Sequence, residues 1–89
     1  MPYIPQKDRD RFTLPLNLLE DRIDIDGISN GELKYLMTRL AYFYINKHGV
    51  SYNTLSDVIK AFECAKMEFY RRKVVPYENH KIAENGDVD

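Results

Sequence analysis

Two runs of apolar residues at helical spacing, separated by a short link, set the tightest limits on what this chain can build. From Gly31 to His48 the positions Leu33, Leu36, Met37, Leu40, Phe43 and Tyr44 recur every three or four residues, and Gly49 follows as a stop. Ala41 and Ile45 widen that stripe, as expected of a helix that packs both within its protomer and against another subunit. Ser51 or Asn53 then caps a second run: Leu55, Val58, Ile59, Phe62, Ala65 and Phe69 keep helical period through EFYRRKVV until Pro76 removes a backbone donor. A link as short as His48 to Ser51 predicts antiparallel neighbours. The expected fold is therefore all-α, a small helical hairpin domain of two long antiparallel helices.

The flanks read as shorter elements. MPYIPQKDRDRF, residues 1 to 12, predicts an extended arm followed by one helical turn starting near Pro5. Thr13 is a possible N-cap, Pro15 lies in the first turn, and Leu14, Leu18, Leu19 and Ile23 share a face, so a short helix is expected at about 14 to 24. DIDGISNG forms a loop that ends in S-x-x-E, Ser29 and Glu32, a capping box opening the next helix. After Pro76, YENHKIAENG admits either a further short helix or a kinked continuation, stopped at Asn85-Gly86, with residues 85 to 89 as a frayed tail.

A single domain, residues 1 to 89, is expected, and a chain this short buries only about 60 to 65 % of its unfolded surface. Its own core is marginal, which favours a homo-oligomer. With 44 % hydrophobic and 30 % charged residues, the composition is globular. Thirteen Lys/Arg against fourteen Asp/Glu leave a net charge of −1, too balanced for bulk coating of nucleic acid. The third helix opens SYNTLSD, with no Lys or Arg before Lys60, which argues against a recognition helix. One cysteine, Cys64, forms no intrachain disulfide, and no basic segment precedes an apolar run, so a cytoplasmic protein without a membrane partner is expected.

Metal and catalytic signatures fail on inspection. Asp24, Asp26 and Gly27 have the spacing of part of a calcium-binding loop, but its first and twelfth positions are Arg22 and Leu33. Neither a metal nor a cofactor is expected. His48 and His80 lie near helix C-termini, where a cation complements the dipole. Cys64 sits between Phe62 and Ala65 as a small hydrophobe. No G-x-S-x-G, G-x-G-x-x-G or P-loop pattern occurs, and no enzyme is expected.

FYRRKVVPYENHK, residues 69 to 81, is the one chemically pointed stretch. Within residues 66 to 81 five Lys/Arg meet two Glu, a local charge of +3, whereas residues 20 to 32 carry −4. Guanidinium groups fork onto phosphate oxygens and tyrosine rings stack on bases, so Arg71, Arg72 and Lys81 with Tyr70 and Tyr77 suit an anionic, nucleotide-type ligand. Tyr70 and Tyr77 are seven apart and share a face if the helix continues through Pro76. The plain alternative is that basic residues complement a helix end, Glu68 and Arg72 form an i,i+4 pair, and the tyrosines serve a subunit interface. Arg39, with Tyr35 and Phe43 at i−4 and i+4, has no acid beside it on its helix and is a further candidate for reaching a ligand or a neighbouring subunit.

MPYIPQKDR, NGELKYLMTRL and SYNTLSDVIKAFECAKMEFYRRKVVPYENHKIAENGDV together resemble a family of short proteins encoded by bacteriophages and prophages, a domain of unknown function. The elements GEL-x-Y, EFYRR, PYE and ENGDV carry the likeness, and residues 11 to 29 are the least similar part. The resemblance implies a compact helical protein made in the cytoplasm of an infected bacterium, and transfers no catalytic residue. Small phage proteins include counter-defence sponges, oligomers that sequester nucleotide alarm signals. Two expectations follow: an oligomeric sponge for such an anion, or a protein-interaction module that inhibits a host protein or serves the virion without a small-molecule ligand.

Overall fold

The computed structural model of the chain describes residues 3–89, and among these every regular element is helical. They divide into two compact units, Tyr3–Val50 and Ser51–Asp89, each considered by itself. The boundary falls in the short link that the sequence places between its two long helices.

In the first unit, two 3₁₀ turns, Gln6–Asp8 and Asp10–Phe12, precede helix α1, Thr13–Asp26. The first turn starts beside Pro5, as the sequence suggests, but Pro5 is its N-cap, with φ −57° and ψ 151°, and Gln6 its first helical residue; Met1 and Pro2 of the expected arm lie outside the described residues. Arg9 closes the turn by donating Nη1 to Gln6 Oε1 at 3.0 Å and Nη2 to the Ile4 carbonyl at 3.2 Å. Thr13 is not the N-cap of α1. The second 3₁₀ turn runs straight into the helix, so Phe12 already holds helical-side angles of −98° and −6°, and Thr13 enters as the first helical residue.

Helix α2, Asn30–His48, begins with the expected capping box. Glu32 N–H donates to Ser29 Oγ at 3.1 Å, and Ser29 N–H donates to Glu32 Oε1 at 3.0 Å. Hydrogen bonds from the Ser29 backbone and then its hydroxyl hold the Glu32 carboxyl below the usual glutamate range. The helix ends at Gly49, whose φ of 86° is strained for any residue with a Cβ, and whose N–H donates to the Ile45 carbonyl at 2.8 Å. Ala41, Ile45 and Leu36 are its partly covered residues; Leu40 and Phe43 stay exposed.

The second unit is one continuous helical path. Ser51 caps α3, Tyr52–Phe69, accepting from Thr54 N–H at 3.1 Å. Tyr70–Val74 form a π turn, and α4 occupies Val75–Asn85. Phe69, Tyr70, Val74 and Val75 all have right-handed helical angles, so the chain neither breaks nor turns back at Pro76. The π turn is the physical answer to the proline. In a regular α-helix the pyrrolidine ring would strike the carbonyl of Arg72 and leave it without a donor; here Val75 N–H bonds instead to the Tyr70 carbonyl, five residues back, in a wider turn. The helix stops at Gly86, φ 85°, the place read from Asn85-Gly86.

No described residue is buried, in either unit. In the second unit Val58, Phe62, Val74 and Val75 are partly covered, while Leu55, Ile59, Phe69 and Tyr77 are half exposed or more.

Candidate functional site

The C-terminal candidates are arranged by the π turn. A turn closed by an i→i+5 bond holds about one residue more than one closed by i→i+4, so every residue after Val74 is delayed by about one position around the axis. Tyr70 consequently shares a face with Glu78 rather than with Tyr77, and its hydroxyl donates to Glu78 Oε2 at 3.4 Å. The sequence expectation that Tyr70 and Tyr77 lie together, given a helix through Pro76, meets an uninterrupted helix whose register has moved. Tyr77 stands roughly a quarter turn away.

Arg71 and Arg72 do come together, on Glu68. Arg71 Nη2 donates to both carboxylate oxygens at 2.9 and 2.8 Å, and Arg72 Nε donates to Oε2 at 2.7 Å. The hydrogen bonds from Arg72 and then Arg71 hold the Glu68 carboxyl below its ordinary range. The two guanidinium groups thus share the Glu68 carboxylate, and Lys73 follows with no ion pair among the described residues. The cluster Glu68, Arg71, Arg72 and Lys73 keeps a charge of +2, and Arg71 retains its Nε and Nη1 donors. Such donors accept phosphate or carboxylate oxygens in bidentate geometry.

Lys81 and Tyr77 form a second group. The Lys81 ammonium lies 5.7 Å from the Tyr77 ring centroid and 3.2 Å from Glu84 Oε2. Glu84 also meets His80 Nε2 at 3.0 Å. A shallow depression lined by Glu78, Lys81, Ile82, Asn85 and Gly86 opens beside this group.

Arg39 belongs to the first unit, with its guanidinium 5.7 Å from the Phe43 ring centroid and no carboxylate partner among the described residues. The neighbouring Thr38 hydroxyl turns back onto the Lys34 carbonyl at 2.9 Å. His48 rests against Tyr44, ring centroids 4.3 Å apart, and Cys64 is exposed. No group of three or more potential metal ligands occurs among the described residues, and none of their helices is long and apolar enough to cross a membrane.

The glutamates were underread from sequence. Only the Glu68–Arg72 spacing stands out there, whereas Glu68 holds both arginines and Glu84 bridges His80 and Lys81. The π turn has a legible trace: Leu55, Phe62 and Phe69 are seven apart, whereas Tyr77 follows Phe69 by eight, across a proline with no helix stop before it.

The chain belongs to the family described as Domain of unknown function (DUF6899), which matches residues 1–88. No curated protein and no solved structure matches it.

Proposed function

We propose that this member of DUF6899 is a phage-encoded, homo-oligomeric and non-enzymatic binding protein that sequesters an anionic small molecule in the cytoplasm of an infected bacterium. The ligand class it suits best is a nucleotide immune signal. One observation carries the reading: Arg71, Arg72 and Lys73 stand in successive positions beside the Glu68 carboxylate, and Arg71, which meets it through Nη2, keeps its Nε and Nη1 donors next to the exposed Tyr70. Phosphate oxygens would displace or share the Glu68 contacts, and bases would stack on the tyrosines.

The candidates fall into Tyr70 with the arginine pair and a Tyr77–Lys81 group in the second unit, and Arg39 in the first. Oligomerisation is what would let groups from different copies meet one ligand. Replacing Arg71 and Arg72 with alanine is expected to abolish retention of a nucleotide in equilibrium dialysis while the oligomer persists. Loss of the oligomer with the arginines would assign them to assembly.

A second reading has its own support. Leu40, Phe43, Ile59, Phe69 and Tyr77 are each more than half exposed, which suits a protein-interaction module that covers them with a host or virion protein. Capture of one such protein at fixed stoichiometry by an anion-free chain would favour it.

A further inference from the structure

We propose that the helix Tyr52–Asn85 pairs antiparallel with the same helix of a second copy along Leu55, Phe62, Phe69 and Tyr77, and that the π turn imposed by Pro76 keeps that seam in line. The inference rests on the homo-oligomer of the proposed function but not on its ligand.

Leu55, Phe62 and Phe69 are two turns apart and lie along one line of α3. In an uninterrupted α-helix the next position on that line is Pro76. By taking in about one extra residue, the π turn moves Pro76 off the line and sets Tyr77 on it. The Tyr70–Glu78 bond fixes that phase, since it links residues eight apart that an unbroken α-helix would hold on different faces. Ile59 and Val74 flank the same stripe. Leu55, Ile59, Phe69 and Tyr77 are 50 %, 66 %, 62 % and 61 % exposed, with Phe62 partly covered.

The stripe itself calls for an occupant, since Leu55, Ile59, Phe69 and Tyr77 leave half or more of their surface exposed along one helix. Charge selects a second copy and its direction. Residues 52 to 65 hold Asp57 and Glu63 against Lys60, a charge of −1, and residues 66 to 81 hold +3. A parallel pair would lay the +3 halves side by side; an antiparallel pair sets each against the −1 half. The overlap that covers the whole stripe centres on Ala65, a small residue that permits close approach, with Phe62 opposite Phe69. Leu55 then faces the second copy's Tyr77, at a shallow depression lined by Tyr52, Leu55, Ser56, Ile59 and Lys60. Arg71 and Arg72 lie off the seam on the side of Glu68, accessible to an anion.

Spin labels test this on the full chain. Cys64 is the sole cysteine, exposed and near the centre; C64A with A83C moves the label to the end. The antiparallel seam gives a short distance between copies at position 64 and one of about 50 Å at position 83, from 1.5 Å of rise per residue. Equal distances at the two positions mean a parallel pair, and no coupling between copies means the stripe is covered otherwise; either overturns the proposal. Phe69→Glu is expected to shift the oligomer to monomer in sedimentation, and an unchanged oligomer would overturn it. If that variant fails to fold, the label distances decide. An antiparallel pair that binds no nucleotide refutes the ligand and leaves the seam standing.

Discussion

The Tyr70 hydroxyl reaches Glu78 Oε2 at 3.4 Å across a π turn, so residues eight apart in sequence share one helix face. That contact records how the chain carries Pro76 inside a continuous helix, and it decides which side chains stand together in the basic segment. It also separates the two tyrosines that spacing alone would pair.

Pro76→Ala removes the reason for the wide turn. Residue 76 regains an N–H that bonds to the Arg72 carbonyl, and the segment relaxes to α-helix, a position where proline costs about 3 kcal/mol relative to alanine in an unrelieved helix. Hydrogen exchange at residues 74 and 75 is expected to slow, and the Tyr70–Glu78 contact to be lost. Exchange unchanged from wild type would show that the π turn has another cause.

Glu68→Gln removes the charge that holds Arg71 and Arg72. Under the proposed function, calorimetric titration with a nucleotide is expected to show severalfold tighter binding, because the arginines no longer exchange one anion for another. Weaker binding by the variant would mean that Glu68 orients the guanidinium groups toward the ligand.

Glu32 and Glu68 both have carboxyls held below their ordinary range. Each folded-state pKa lies under its unfolded value, so the stability they contribute is full above the unfolded value, about 4.3, and is lost as pH falls through the folded value. Helical ellipticity is expected to decline in that acid window. The double variant E32Q/E68Q should flatten the decline, and an identical acid profile would remove these two groups from the account.

Ser29 and Ser51 each accept from the backbone three residues on. Alanine at either is expected to destabilise its helix by about 1 kcal/mol, read as a lower denaturation midpoint. Equal midpoints for Ser51→Ala and wild type would show that packing between copies, rather than the cap, sets the start of α3.

Local chemistry made the helices legible. The S-x-x-E box, Ser51, Gly49 and Gly86 satisfy or terminate backbone groups within a few residues, so their effect is written in adjacent sequence. Thr13 misled because a 3₁₀ turn before it takes over the role of a cap. The basic segment was legible as charge and aromatic content but not as geometry. Its face pattern depends on a one-residue change of register set by Pro76, and its arginines answer to Glu68 as well as to any ligand.

Native mass spectrometry of the protein purified from a host with active nucleotide-based defences, followed by denaturing extraction, tests the central claim most directly. The account predicts a discrete oligomer carrying a ligand of nucleotide mass that R71A/R72A no longer retains. An oligomer that emerges empty, and stays empty after challenge with a nucleotide panel, would contradict it and return FYRRKVVPYENHK to helix continuity and subunit contact.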